Sequence, residues 1–226
     1  MGGFELGAGQ TVLIRVSKYS TTLAGPFVLK VSASPSNDAC ASAIPAVAGA
    51  NAFCTSGASD SGITEPCLAQ GQVFKDVWFS FVAPYGAPVR VSTCDPGTTL
   101  DTTLAVYQGA CPAGNASAIA CNDDDSGCAA SALNSSLLFR AHAGQTYFFR
   151  VGAYSPSTPV GPGVLLVTAY CPADVDDGSG LGVRDQGVDV NDLIYFLGAY
   201  EAGLAGADLD NGSGAGSPDG GVDIND

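Results

Sequence analysis

The stretch AGQTYFFRVGAYS, residues 143–155, decides how the chain is read. Its TYFFRV run (146–151) is rich in aromatic and branched side chains and is bounded by glycine on both sides, the composition of a β-strand between turns. A near copy, AGQTVLIRVSKYS, stands at 8–20. Phe4 matches Phe139, Arg15 matches Arg150 and Tyr19 matches Tyr154. After each copy come a loop and another β-like run, FVLKVSA and VLLVTAY. Repetition of this kind marks repeated modules. Residues 1–33 therefore read as the C-terminal hairpin of a preceding, incomplete β-sandwich repeat, and 34–171 as the next repeat in full. A lone hairpin cannot bury a core, so the N-terminal piece is expected to be loosely placed or to borrow a sheet edge.

Working outward, the same kind of run recurs. VLIRV (12–16), FVLKV (27–31), VWFSFV (77–82), VRVST (89–93), LAVY (104–107), SLLFRA (136–141) and VLLVTA (164–169) alternate with clusters of Gly, Pro, Ser, Asn and Asp. No helical period is sustained before residue 170. Many short strands with such turns predict a sandwich or a barrel.

Four segments carry a resemblance: DVWFSF (76–81), LDTTLAVYQG (100–109), CNDDDSG (121–127) and AGQTYFFRVGAY (143–154). In this order, across nearly all of 34–171, they resemble the bacterial pre-peptidase C-terminal-like domain. That resemblance implies a non-catalytic, jelly-roll-like antiparallel β-sandwich, a module of secreted bacterial proteins that is often appended to proteases or large surface proteins.

Charge divides the chain differently. Its 226 residues carry a net charge of −14. From Pro172 onward there are twelve acids and one base, Arg184, so the acidity belongs to the tail. Such a segment repels nucleic acid and anionic membrane and suits cations. No apolar run is long enough to span a bilayer. The start, MGGFELGAGQ, has neither a basic nor an apolar signal region, and the expectation is a fragment of a longer secreted chain. Eight cysteines, at 40, 54, 67, 94, 111, 121, 128 and 171, include no C-x-x-C pair. An even count without zinc spacing favours disulfides and an oxidising location. Cys111 and Cys121 flank the turn-rich PAGNASAIA and are the most natural single pair by sequence.

Few residues of the β-rich part offer chemistry. His142 is the only histidine, in a turn-like AHAG stretch with no nucleophile motif around it, and no enzyme is expected. Trp78 reads as a buried core aromatic rather than a sugar-stacking platform. Asn122, Asp123 and Asp124, with Asp101, read as a turn or as a second cation site.

The tail holds a repeat of its own, DVDDGSGLGVRDQGVDVND (174–192) and DLDNGSGAGSPDGGVDIND (208–226). A twelve-position calcium loop places oxygen ligands at 1, 3, 5, 7, 9 and 12. Counted from both ends, the first copy offers Asp174, Asp176, Asp185, Gly187 by its carbonyl, Asp189 and Asp192. The second offers Asp208, Asp210, Asp219, Gly221, Asp223 and Asp226. Both carry the same Gly- and Ser-rich insertion of seven residues between positions 3 and 5. It can loop out while its ends stay close, since extra loop length costs little entropy. A helix should follow the first loop, with Leu193, Phe196, Leu197 and Tyr200 on one face and Asn191 or Asp192 capping its start.

This tandem arrangement, 172–226 with LIYFLGAY between the loops, resembles a dockerin of the planctomycete type, truncated before its second helix. That resemblance implies Ca²⁺ as the bound ion, a cohesin-like module as the partner of the helix face, and attachment to an extracellular or cell-surface assembly. The expected protein is thus a non-catalytic accessory β-sandwich with a calcium-dependent attachment module. The alternative is a carbohydrate-binding accessory module of a polysaccharide-degrading system.

Overall fold

The computed structural model describes residues 11–17, 25–26, 28–29, 33–114, 118–171, 173–184, 188–210 and 219–223. The chain divides into two units, Met1–Val31 and Ser32–Asp226.

In the first unit the VLIRV run at 12–16 forms no strand, and Leu13 is 94% exposed. The reason is the one that makes a lone hairpin weak: a strand needs a partner for its N–H and C=O groups, and this run has none among the described residues.

The second unit is β-rich. Its strands are β1 (Ile44–Pro45), β2 (Gly49–Cys54), β3 (Phe74–Val82), β4 (Ala87–Ser92), β5 (Thr102–Gln108), β6 (Ala120–Asn122), β7 (Ser136–Ala141), β8 (Thr146–Ala153) and β9 (Pro162–Ala169). They form one sheet ordered β1-β3-β8-β5-β6 and another ordered β2-β9-β4-β7. All described pairings are antiparallel except the two-residue β1–β3 contact, which is parallel.

The repeated motif is the central strand of the first sheet. Along β8, Tyr147, Phe149, Val151 and Ala153 face the second sheet, because successive side chains of a strand point to opposite faces. They meet Val77, Phe79 and Phe81 of β3, Val89 and Val91 of β4, Leu137 and Phe139 of β7, and Leu165 and Val167 of β9 in one core. Two sheets closing on one apolar layer make a β-sandwich.

The other face of the first sheet is also buried. Trp78, Ala105 and Tyr107 pack there with Ile63, Leu68 and Val73 of the connection that precedes β3. Arg150, fully buried, donates from Nε to Asp76 Oδ2 at 2.9 Å, from Nη1 to the Ile63 carbonyl and from Nη2 to the Val73 carbonyl, both at 3.0 Å. Its guanidinium also sits 5.6 Å from the Trp78 ring centre. The arginine shared by both repeat copies is therefore a structural clamp in this one.

Three disulfides form: Cys40–Cys111 and Cys67–Cys121, each with one cysteine packed on this layer, and Cys94–Cys128, between the segment after β4 and the connection from β6 to β7. The Cys111–Cys121 pairing expected from sequence is wrong. Cys121 lies on β6, which pairs with β5 rather than folding back on Cys111. Closing loops of 71, 54 and 34 residues, each bridge contributes about 4 kcal/mol in the chain-entropy view. Cys54 and Cys171 are free thiols. Among the described residues no helix is long and apolar enough to cross a membrane.

Candidate functional site

The tail follows β9. Among the described residues it has one α-helix, α1 (Val190–Glu201), which starts at the N-cap Asp189, whose side chain accepts the Asn191 N–H at 2.7 Å. Asp192 reciprocates, its Oδ2 taking the Asp189 N–H at 2.7 Å. This is a capping box with Asp at both ends. The cap is thus Asp189, not Asn191 or Asp192, because only the residue before the first helical turn has the extended backbone that aims its carboxylate at the free N–H groups.

The other oxygen of Asp192 reaches back along the chain. It accepts Val175 N–H at 2.6 Å and Asp176 N–H at 2.9 Å. The two ends of the first motif, 174–176 and 189–192, are thereby joined across the insertion.

The insertion folds around Asp176. Gly178 and Gly180 donate to Oδ2 at 3.0 and 2.9 Å, and Gly182 donates to Oδ1 at 2.8 Å. All three glycines have positive φ, at 88°, 70° and 72°, a region that costs glycine nothing. The G-x-G-x-G spacing of the insertion lets alternate N–H groups turn to one carboxylate. A Cβ on Gly182 would also lie 2.4 Å from the Tyr195 hydroxyl. Arg184, the tail's single base, donates to the Cys171 carbonyl at 2.8 Å and ties the insertion to the end of the sandwich.

The second copy is joined in the same way by a different residue. Asp208 accepts Asp219 N–H at 3.1 Å on Oδ1 and Gly220 N–H at 2.7 Å on Oδ2. Gly220 has φ 93°, which suits the glycine found there.

Asp174, Asp176, Asp192 and Asp208 are all buried, between 1% and 7% exposed. Burial pushes the Asp176 carboxyl up, but the N–H groups of Gly180, Gly182, Gly178 and Leu181 outweigh it and hold it below the usual carboxylate range. Asp192 is held low chiefly by the N–H groups of Asp176, Asp189 and Val175, against a smaller effect of burial. Both are ionised at neutral pH.

Asp189, Asp219, Gly221 and Asp223 are exposed, and Asp210 is half-buried. Asp185, Gly187 and Asp226 lie outside the described residues. Among the described residues, one group of three candidate ligands has its ligand atoms within 4.8 Å of one another: Cys94, Asp125 and Cys128. Its sulfurs are bonded to each other, so they are not free thiolates for a metal. No three tail carboxylates gather that closely among the described residues.

On α1, Leu193, Leu197 and Tyr200 are exposed, and Phe196 is half-buried with its ring 5.9 Å from that of Tyr200. Leu193 and Phe196 line a small hollow with Val175, Val188 and Leu209.

No family model matches the chain, and no curated protein matches it.

Elsewhere, Trp78, Phe79 and Phe81 are buried, at 0%, 2% and 6% exposed, and are not available as a sugar platform. His142 is exposed in its turn. Asn122 is the last residue of β6, and its side chain braces the turn that follows: its Oδ1 accepts Ser136 N–H at 2.9 Å and its Nδ2 donates to the Asp124 carbonyl at 3.0 Å. Asp101 differs, since its Oδ1 is buried without a hydrogen-bond partner among the described residues. The sequence groups Asp101 with Asn122, Asp123 and Asp124 as a turn or second cation site, but does not show that its oxygen is buried.

Proposed function

We propose that the tail is a calcium-dependent attachment module, dockerin-like, carried by an accessory β-sandwich of jelly-roll type that has no catalytic role. The observation that carries this reading is the joining of both ends of each acidic motif across its insertion, through Asp192 in the first copy and Asp208 in the second. A calcium loop with an insertion requires this closure, and an acidic linker does not.

The donor chemistry fits Ca²⁺, a hard ion that takes six to eight oxygens. The motifs offer carboxylates and backbone carbonyls, with no sulfur or imidazole. Asp176 and Asp192 each already accept three backbone N–H groups. Asp174, Asp185, Asp189 and the Gly187 carbonyl would supply the rest of the first site.

Attachment is read from α1. Its Leu193, Leu197 and Tyr200 leave an apolar face in solvent, as interaction helices do. The partner class proposed is a cohesin-like module, outside the cell, where the three disulfides are stable.

Calcium titration calorimetry on the full chain tests the reading. Heat is expected for the native sequence and is lost from the first site in Asp174→Ala and Asp192→Ala. Asp192 also satisfies three backbone N–H groups, so lowered stability in that variant is expected with or without the ion, and the heat decides. A native chain that shows no heat, and no change in proteolysis of 172–200 on adding a chelator, would sink the proposal.

A further inference from the structure

The acidic corner where β5 meets β6 holds two buried oxygens that have no partner among the described residues, Asp101 Oδ1 and Thr103 Oγ1. Thr103 is 1% exposed. Between them in sequence, Thr102 turns the other way. Its hydroxyl is 2.6 Å from that of Thr93 and 3.0 Å from that of Ser135. The Asp101 carbonyl accepts Tyr154 N–H at 3.2 Å, which continues the β5–β8 ladder beyond Thr102↔Ala153. Asp101 and Thr103 therefore share one face, since side chains two apart on a strand do so. Across the sheet, Leu104 pairs with Asn122 and Ala105 with Cys121. Asp123 follows the end of β6 directly, one residue beyond the Leu104↔Asn122 pair.

Native proteins rarely leave a buried carboxylate oxygen unsatisfied, and each instance asks for a proton, a water or an ion. Here two further carboxylates crowd it. Burial first, then the charges of Asp124 and Asp123, push the Asp101 carboxyl up to about 6. Like charges around an unpaired oxygen cost free energy that a cation removes.

We propose that Asp101, Thr103, Asp123 and Asp124 form a second cation site, on the sandwich itself, that takes one Ca²⁺. Two observations carry it beyond a mere acidic cluster: the unpartnered Asp101 oxygen, and the unpartnered, buried Thr103 hydroxyl on the same face. Carboxylates and a hydroxyl are hard oxygen donors, which selects Ca²⁺ over softer metals. The three carboxylates are not gathered within 4.8 Å of one another, so binding draws the 123–125 turn inward onto Asp101. The site shares no residue with the tail and does not depend on the attachment reading.

The test counts ions on the full chain by native mass spectrometry at neutral pH and follows melting by fluorescence of Trp78, the only tryptophan and part of the sandwich. A tail variant, Asp176→Asn with Asp192→Asn and Asp208→Asn, is expected to keep one ion and a Ca²⁺-dependent rise in the Trp78 melting temperature. Asp101→Asn is expected to lose one ion and that rise while the tail still binds. Exposed Asp124→Asn, which leaves the sandwich packing untouched, is expected to weaken this site about tenfold, because affinity follows the count of charged ligands. A tail variant without a Ca²⁺-dependent shift overturns the proposal, as does an Asp101→Asn chain that binds the native number of ions; a bare proton on Asp101 gives that first result. Unchanged binding in the tail variant would instead overturn the attachment reading and leave this site standing.

Discussion

At the scale of the residue, Arg150 shows how much a repeat can and cannot say. The match of Arg15 with Arg150 singles it out, but repetition alone does not separate a clamp from a ligand. Its role depends on Asp76 and on the Ile63 and Val73 carbonyls, brought in by a connection whose path the local pattern does not encode. Asp76 is satisfied on its other side as well, its Oδ1 accepting Ser61 N–H at 2.9 Å. Removing the guanidinium strips its donors from Asp76 Oδ2, which stays buried and charged, and from the Ile63 and Val73 carbonyls. Breaking a buried pair from one side costs about 3–5 kcal/mol. Arg150→Met is expected to lose that much in denaturant unfolding followed by Trp78 fluorescence. Arg150→Met combined with Asp76→Leu is expected to recover part of it, because the second change removes the stranded charge. A single variant as stable as the native chain would show the clamp to be dispensable.

At the scale of the element, strands rich in aromatic and branched residues were legible, and those built from small residues were not. VWFSFV, LAVY, SLLFRA, TYFFRV and VLLVTA all lie in strands. GANAFC, which forms β2, has one large apolar side chain, Phe53, and so little periodic signal. It is a strand because β9 offers it a full antiparallel ladder from Gly49↔Val167 to Cys54↔Pro162. VLIRV is the converse, good composition without a ladder. Glycine placement depends on the same kind of long-range contact. β3 is irregular between Phe74 and Val77, and Lys75 has φ 49°, where a non-glycine residue is uncommon. Gly152 of β8 faces this bulge. A Cβ there would lie 2.4 Å from the Phe74 carbonyl and 2.9 Å from the Asp76 Cα. Backbone cannot yield as a flexible side chain would, and overpacking costs about 1–3 kcal/mol or more. Gly152→Ala is therefore expected to lower the denaturant midpoint by an amount in that range and to disturb the Asp76–Arg150 pair. A midpoint equal to the native one would mean that the bulge can relax.

At the scale of the whole molecule, the division into a β-rich part and an acidic tail was visible in charge and periodicity, whereas the second buried layer on the first sheet was not. That layer comes from an irregular connection, and irregular chain shows no period to read. Its carboxylate and phenol are satisfied within it, whereas the buried Trp78 Nε1 has no acceptor among the described residues. Glu65, fully buried, accepts from the Tyr107 hydroxyl at 2.7 Å and from Ala118 N–H at 3.0 Å. Tyr107 lies against Trp78, with ring centres 5.6 Å apart. Burial is the largest influence on the phenol and raises its pKa; Arg150 pulls it down and Glu65 pushes it up, and the result is well above the usual tyrosine range. The fold thus holds Tyr107 neutral. A group raised in the folded state contributes stability that is fully present below its unfolded value, about 10 for tyrosine, and is lost as pH rises through its folded value. The slope in that window is about 1.4 kcal/mol per pH unit for one proton. Alkaline titration should therefore show Tyr107 ionising last in tyrosinate absorbance, together with loss of Trp78 packing. Tyr107→Phe keeps the ring and removes the proton, so its stability should fall less steeply above pH of about 10, at the cost of leaving Glu65 one donor short. If the two proteins unfold along the same alkaline curve, the layer does not depend on a neutral Tyr107.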